Sequence, residues 1–553
     1  MHPRLPTRHR GLLILRQGIV RAVLTPWKQA LGLAAITLAV FWPTLSAEFV
    51  YDARLQIVTG DFIHDPGNWL PVLSFGVLGM DVLDFNRPVQ LASLMLDAAI
   101  WGREPFGYHL TSVLLHVVNV VLVWGVMRGL FDGVESGIRR DAGSPGFRPG
   151  LRGDGVAALL TALLFAVHPV VTEAVCEPTF REDLLVAACT LGALLLAMRH
   201  DPAAPRGDRW RALGCAGLCL LAVASKESGI AAPLIVAAYW GLFCRGEPTA
   251  FWRLAVGGGL LAAVAFLAAR FLLEPAQSAI FEAKPQYPGG SFLAAMALEP
   301  QILALYGQLV VFPANLCADY GLHSVRHVPL PVALVILASL AAAAFVAIRA
   351  DRRMALTCAI IVLPLIPVSN LFPIYRAAAD RYLYLPMAGV ALAVGWLLDG
   401  PWLAVRPRLR EKATIGAMAA IVLLGMACIE RQKVWATPLA LWEDTFRKNP
   451  VAYTAASGLG ESLREVGRLP EAERATREAI RLSEEKRGDP WAALALILEA
   501  QGREAEAFEA ADRAIAVQPS LADPKGRVRV LAMERQVAEE WGRLLGRRKE
   551  GRL

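Results

Sequence analysis

Residues 29–52 read Gln29-Ala30-Leu31-Gly32-Leu33-Ala34-Ala35-Ile36-Thr37-Leu38-Ala39-Val40-Phe41-Trp42-Pro43-Thr44-Leu45-Ser46, then Ala47-Glu48-Phe49-Val50-Tyr51-Asp52: an apolar run followed at once by a carboxylate. The run starts late, lacks a small-residue cleavage site and leads into Tyr51-Asp52, so it reads as a first membrane helix rather than a cleaved signal peptide. Asp52 is then expected just beyond the bilayer. Working outward, the 553 residues are 55% hydrophobic and only 19% charged, with a mean hydropathy of +0.44, too apolar for a soluble chain of this length. Since a crossing helix takes roughly 20 apolar residues, candidate spans centre near residues 37, 118, 162, 191, 219, 237, 263, 340, 361, 391 and 421, about eleven in all.

The net charge of +7 does not point to nucleic acid, because the arginines cluster in alternate loops. Those loops carry Arg4, Arg8, Arg10, Arg16, Arg21 and Lys28; Arg139, Arg140, Arg148 and Arg152; Arg199, Arg206, Arg209 and Arg211; Arg245 and Arg253; Arg349, Arg352 and Arg353; and Arg406, Arg408, Arg410 and Lys412. By the positive-inside rule they are cytoplasmic, with the N-terminus inside and the C-terminal region outside. This holds only if residues 300–316, which end in Phe312-Pro313, do not cross, and the stretch is read as a short re-entrant or interfacial helix. Arg87, His168, Glu173, Arg181, Asp183, Lys226, Glu227, Asp319 and Arg381 then gather on the face that holds Asp52. Of the eight cysteines, most lie in or at the ends of apolar runs as small buried hydrophobes. Cys215 and Cys219 share a helix face, but two thiols without further ligands are a packing pair rather than a metal site. Cys176 and Cys317 are both expected outside, where a disulfide is possible but no spacing rule supports one.

After Arg431 the composition turns to Glu, Arg and Ala. Ala456, Gly458, Leu459, Leu463, Gly467, Ala472 and Ala479 precede a second set, Ala492, Leu496, Gly502, Ala505, Ala511, Ala514 and Pro519, at a period of roughly 34 residues. Gly467-Arg468-Leu469-Pro470-Glu471-Ala472 has a near copy in Gly502-Arg503-Glu504-Ala505. This is the pattern of tetratricopeptide helix pairs, whose concave face binds peptides or partner proteins, or which serve only as a packing module. Residues 521–545 are expected to cap the stack. The fold class is therefore all-α, with a polytopic membrane bundle over residues 1–431 and a soluble α-solenoid of tetratricopeptide repeats over residues 432–553.

Several ordered motifs resemble one family. They are Asn86-Arg87-Pro88; Gly102 with Pro105-Phe106-Gly107-Tyr108-His109-Leu110; Leu114-Leu115-His116-Val117-Val118-Asn119; and Leu163-Leu164-Phe165-Ala166-Val167-His168-Pro169. Thr172-Glu173-Ala174-Val175, Arg181-Glu182-Asp183-Leu184-Leu185, Ser225-Lys226-Glu227 and Asp380-Arg381-Tyr382-Leu383-Tyr384-Leu385-Pro386 follow in order, then Arg431, Trp435, Leu441-Trp442 and Pro450. Over nearly the whole chain this is similar to the transmembrane and tetratricopeptide-repeat O-mannosyltransferases. The resemblance implies the GT-C fold of membrane glycosyltransferases, a sugar donor on a polyprenyl-phosphate carrier, a protein or peptide acceptor, and action on the non-cytoplasmic side of a membrane, here a bacterial inner membrane.

Asp52 matches the family's catalytic acidic position. The family usually has a second acid immediately after it; here Ala53 stands there, which disfavours a paired-carboxylate metal site and is compatible with metal-free departure of a monophosphate. No cofactor is expected, with a divalent metal left open. Inverting transfer to a hydroxyl needs a carboxylate to take the proton and cations to hold the departing phosphate. Asp52 is the expected base, with a solvated loop acid or helix cap as the alternative. Arg381 offers the planar fork that suits phosphate, supported by Lys226 and Arg87. Lys226-Glu227 also fits a snorkelling interfacial pair, Arg87 an ion pair that fixes the loop, and Tyr382 an interfacial belt. His168, Glu173, Arg181, Asp183, Glu227 and Tyr382 are acceptor-binding or supporting candidates, although a His at a helix end also fits a structural role. Two other classes stay open: a transporter or lipid flippase, and a membrane-anchored tetratricopeptide-repeat scaffold without catalysis. The first should show internal span repeats and ionisable groups near the midplane rather than at one face, and no such repeat is seen. A scaffold that only anchors outer repeats would need a single span.

Overall fold

The computed structural model describes residues 25–132, 155–201, 205–244, 249–273, 286–523 and 535–550. The arginine-bearing segments at residues 4–21 and 139–152, together with Arg245, lie outside the described residues. Among the described residues every regular element is helical and there is no strand. Many helices open on proline, as at Pro26, Pro88, Pro401, Pro407 and Pro438, where its fixed φ suits the first turn and its missing N–H costs no hydrogen bond.

Seven helices are long and apolar enough to cross a membrane: Pro26–Ser46, Pro105–Leu130, Ala250–Leu273, Phe292–Val311, Leu330–Ala350, Asp380–Ala404 and Pro407–Val434. Val156–Val167 and Pro169–Cys176, bent by 49° at His168-Pro169, make an eighth if counted as one span. Each of the eleven expected centres falls in a helix. Those at 191, 219, 237 and 361 lie in Arg181–Met198, Pro205–Ser225, Ala231–Phe243 and Arg352–Val362, which do not pass the same length and polarity test. The chain is an integral, multi-pass membrane protein. Its outer helices show the lipid-facing pattern directly: in Leu330–Ala350 only Ala333 is buried, while Leu334, Val335, Leu340, Phe345 and Val346 are exposed.

Residues 300–316 differ from the sequence reading in length. They belong to a 20-residue helix, Phe292–Val311, whose N-cap Ser291 accepts the Ala294 N–H at 3.2 Å and which runs through Pro300. Proline inside an apolar helix hid this continuity, because its ring interrupts the ladder without ending the element when neighbours support it. Cys176 and Cys317 are free thiols, Cys176 beside Thr44 at 3.4 Å and Cys317 donating to the Asp319 carbonyl at 3.4 Å.

Beyond Val434 the helices Pro438–Lys448, Tyr453–Glu465, Leu469–Leu482, Asp489–Ala500 and Glu504–Val517 stack in sequence, Tyr453–Glu465 pairing with Leu469–Leu482 and Asp489–Ala500 with Glu504–Val517. Gly467 and Gly502 sit at equivalent turns with φ of 76° and 77°, where a side chain would be strained. Buried alanines, among them Ala472, Ala479, Ala492 and Ala511, let the paired helices approach closely. Helix Arg535–Glu550 covers the end, with Trp541 buried and its indole N–H donating to the Leu521 carbonyl at 3.0 Å.

Candidate active site

The first loop is held at both sides of Asp52. Tyr51 adopts the left-handed region (φ 52°), and its ring stacks on Trp442 at 5.4 Å and meets the edge of Phe180 at 5.6 Å. The next residue, Ala53, shares its N–H between Glu177 Oε1 at 3.0 Å and the Val50 carbonyl at 3.1 Å. Strain of this kind persists where the surroundings over-determine the backbone. Asp52 between them is exposed and, among the described residues, forms no hydrogen bond or ion pair. Crowding by the surrounding protein pushes its carboxyl up to about 6, opposed by Arg381 and Arg376 and reinforced by Asp84 and Glu182. Its open face admits water, which moderates that rise.

The two arginines come from the segment before the last pair of long helices. Arg376 binds Asp319 at 2.6 Å and lies 5.8 Å from the Tyr51 ring. Arg381 is paired through Nη1 with buried Glu173, whose other oxygen accepts the Arg381 backbone N–H at 2.9 Å, and its guanidinium stacks 3.9 Å above Phe180. One hydrogen-bonded arm is thus committed in each, and a planar fork has others. Lys226 stands in extended backbone between two helices, bound to Asp183 at 2.5 Å, near Glu182 at 3.6 Å and over the Tyr382 ring at 5.2 Å. Arg87 meets Asp84 at 3.1 Å, Glu182 at 3.2 Å and Glu227 at 3.8 Å, and Glu227 also binds Arg270 at 2.9 Å. Beside this network a crevice is lined by Asp183, Val186, Ser228, Pro364, Val368, Tyr382, Leu385 and Pro386, mostly apolar with one carboxylate at its edge.

Asp52, Arg381, Lys226, Arg87, Glu173, Asp183, Glu227 and Tyr382 therefore share one connected region. Arg181 does not join it: fully buried, it is paired with Asp97 at 2.6 Å and donates to Ser93 and the Tyr108 carbonyl. His168 is spent on structure as well, with Nε2 2.9 Å from the Val310 carbonyl and Nδ1 accepting the Val170 N–H at 3.3 Å. Arg376, Asp84 and Glu177 were not singled out from sequence. Arg376 could have been, as an arginine in a loop on the face where arginines are scarce. Among the described residues no group of three or more His, Cys, Asp or Glu side chains is arranged to hold a metal ion.

The C-terminal helices close one side of the site. Lys448 donates to the Leu316 carbonyl at 2.7 Å, Asn449 to the Asp319 carbonyl at 2.9 Å, and the Thr454 hydroxyl to the Asp319 carboxylate that holds Arg376. Arg54, next to Ala53, forms a bidentate pair with Glu465 at 2.6 and 2.9 Å.

No protein-family model matches the chain. It is 25% identical to a protein O-mannosyl-transferase of Caenorhabditis elegans over 82% of this chain and 63% of that one. It is 28% identical to the protein O-mannosyl-transferase Tmtc3 of Drosophila melanogaster over 72% and 48%, and 23% identical to mouse TMTC3 over 67% and 42%. The chain thus spans between about two fifths and two thirds of the length of these relatives. Among solved structures, ArnT from Cupriavidus metallidurans bound to undecaprenyl phosphate aligns with a TM-score of 0.42 and 17% identity, over 89% of this chain and 80% of that one. With its ordered motifs and these relatives, the chain resembles the protein O-mannosyl-transferases.

Proposed function

We propose that the chain transfers a mannose-like sugar from a polyprenyl-phosphate carrier to a hydroxyl, a Ser or Thr of a protein, on the extracytoplasmic face of a bacterial inner membrane. The observation that carries this reading is the exposed Asp52 carboxylate, without a hydrogen bond or ion pair among the described residues and within the electrostatic reach of Arg381 and Arg376. Asp52 takes the acceptor proton as the hydroxyl oxygen attacks the anomeric carbon. The bond from that carbon to the phosphate oxygen breaks with its electron pair on the leaving carrier phosphate, and the configuration inverts. Arg381, with Lys226 and Arg87 behind it, neutralises the phosphate through donors not spent on Glu173, Asp183 and Asp84. The carrier's lipid follows the apolar crevice beside Tyr382. The repeats over 432–553 lie outside and present the acceptor chain.

Purified protein incubated with polyprenyl-phosphate mannose and periplasmic extract is expected to yield mannosylated peptides by mass spectrometry. Asp52→Asn should abolish transfer while leaving donor binding intact, since a placed base is worth roughly 100- to 10,000-fold in rate. Full activity in that variant would remove the base.

A further inference from the structure

Glu177 is a buried acid that the proposed chemistry does not use. It lies in the hairpin between Thr172–Cys176 and Arg181–Met198 with no exposed surface. Its oxygens are treated unequally. Oε1 receives the Ala53 N–H at 3.0 Å, the Thr179 hydroxyl at 2.6 Å and the Thr179 N–H at 3.3 Å, whereas Oε2 is buried with no partner, and no cation pairs with the group among the described residues. An ionised carboxylate with one bare oxygen and no counter-charge is costly in such a place. Three donors converge on Oε1, which fixes the place of the carboxyl group through that oxygen. The donor that matters is Ala53, because its N–H belongs to the peptide that leaves Asp52. Tyr51, clamped by Trp442 and Phe180, fixes the backbone on the other side, and among the described residues no hydrogen bond or ion pair holds the Asp52 carboxylate.

We propose that Glu177 is the positioning residue that fixes the backbone at Asp52 by holding the Ala53 N–H. The proposal rests on the reading of Asp52 as the base. Burial pushes the Glu177 carboxyl well above the usual range, and Asp52 pushes the same way. A charge on Glu177 would hold Asp52 protonated further into the working pH range.

Two variants separate positioning from charge. Glu177→Gln keeps an oxygen acceptor without a charge; Glu177→Ala leaves the Ala53 N–H to the Val50 carbonyl alone. Two readouts are needed: transfer kinetics against pH, and the pH dependence of carbodiimide labelling of Asp52 in the membrane-embedded protein, read by peptide mass spectrometry without reference to activity. The groups that act on Asp52, namely Arg381, Arg376, Asp84, Glu182 and Tyr51, are the same in every variant, so differences report Glu177 alone. Glu177→Gln is expected to keep kcat within about threefold and to leave both the acid limb and the labelling midpoint in place, whereas Glu177→Ala loses about 10- to 100-fold in kcat at unchanged donor KM. A Glu177→Gln enzyme as impaired as Glu177→Ala, or one whose labelling midpoint moves down, would overturn the proposal, because the charge would then be the working feature. If Glu177→Ala fails to fold, the Glu177→Gln result still decides. Should Asp52→Asn remain fully active while the labelling pattern holds, the base reading fails and the anchoring of Asp52 stands.

Discussion

The carboxylate of Asp52 has no ion-pair partner among the described residues, while Glu173, Asp183, Asp84 and Asp319 are each held by a cation; crowding by the protein raises its titration and Arg381 and Arg376 oppose the rise. A base must be ionised to accept a proton, so kcat/KM is expected to fall about tenfold per pH unit below about 6 and to level off above it, a profile read with neutral acceptor peptides. The same shift bears on stability. The folded carboxyl titrates above its ordinary value of 3.8, so the stabilisation linked to its protonation is complete below that value and is lost as pH rises through about 6. Asp52→Asn should therefore raise Tm at pH 7.5 and change it little at pH 4. At Arg381 the planar fork is the feature to test. Arg381→Lys keeps the charge near Glu173 but loses parallel donors, and donor affinity is expected to weaken about tenfold, roughly 1.4 kcal/mol, by titration with polyprenyl-phosphate sugar. Unchanged affinity would move the phosphate to Arg376 or Arg87.

The hairpin from His168 to Asp183 shows what an element can hide. Proline at 169 and 178 breaks the helix into short turns, so Glu173, Glu177, Arg181 and Asp183 point in different directions although their spacing looks regular. That a group of acids and bases gathers at this end was legible, because charged residues at the ends of apolar runs must share a face. Which acid meets which base was not, because Arg87, Glu182, Lys226 and Glu227 come from segments brought together only by helix packing. Arg181 illustrates the cost of reading type without environment: its motif looks functional, yet it is buried against Asp97. Arg181→Leu should leave that carboxylate as an uncompensated buried charge and destabilise the fold by about 3–5 kcal/mol, seen as lost expression and a lower Tm. Arg181→Leu with Asp97→Leu should restore folding. The turns at Gly467 and Gly502, in contrast, were legible because a left-handed position admits few residues other than glycine.

At the scale of the whole molecule, sidedness depends on helix Phe292–Val311. Its length permits crossing, but Glu299 near its middle accepts from Asn370 at 2.6 Å, and the Val310 carbonyl near its end meets His168. Both partners flank the region of Asp52 and Arg381, which favours a helix lying along that face. Reporter fusions at Gly290 and at His327 are therefore expected to signal from the same, extracytoplasmic side, as is one placed after Arg431. Opposite signals from the first two would make the helix a span and reverse the orientation of everything beyond it. The grip of Thr454 and Asn449 on Asp319, and through it on Arg376, has a further consequence. A membrane half cut at residue 431 would lack part of the wall that orients an arginine near Asp52, and a repeat array grafted from another protein would bring the wrong wall. The transplantable unit runs at least from the first helix through Glu465, so chimeras that test the proposed acceptor role of the C-terminal helices need their seam beyond Glu465, where exchange leaves the Asp319–Arg376 and Arg54–Glu465 contacts untouched.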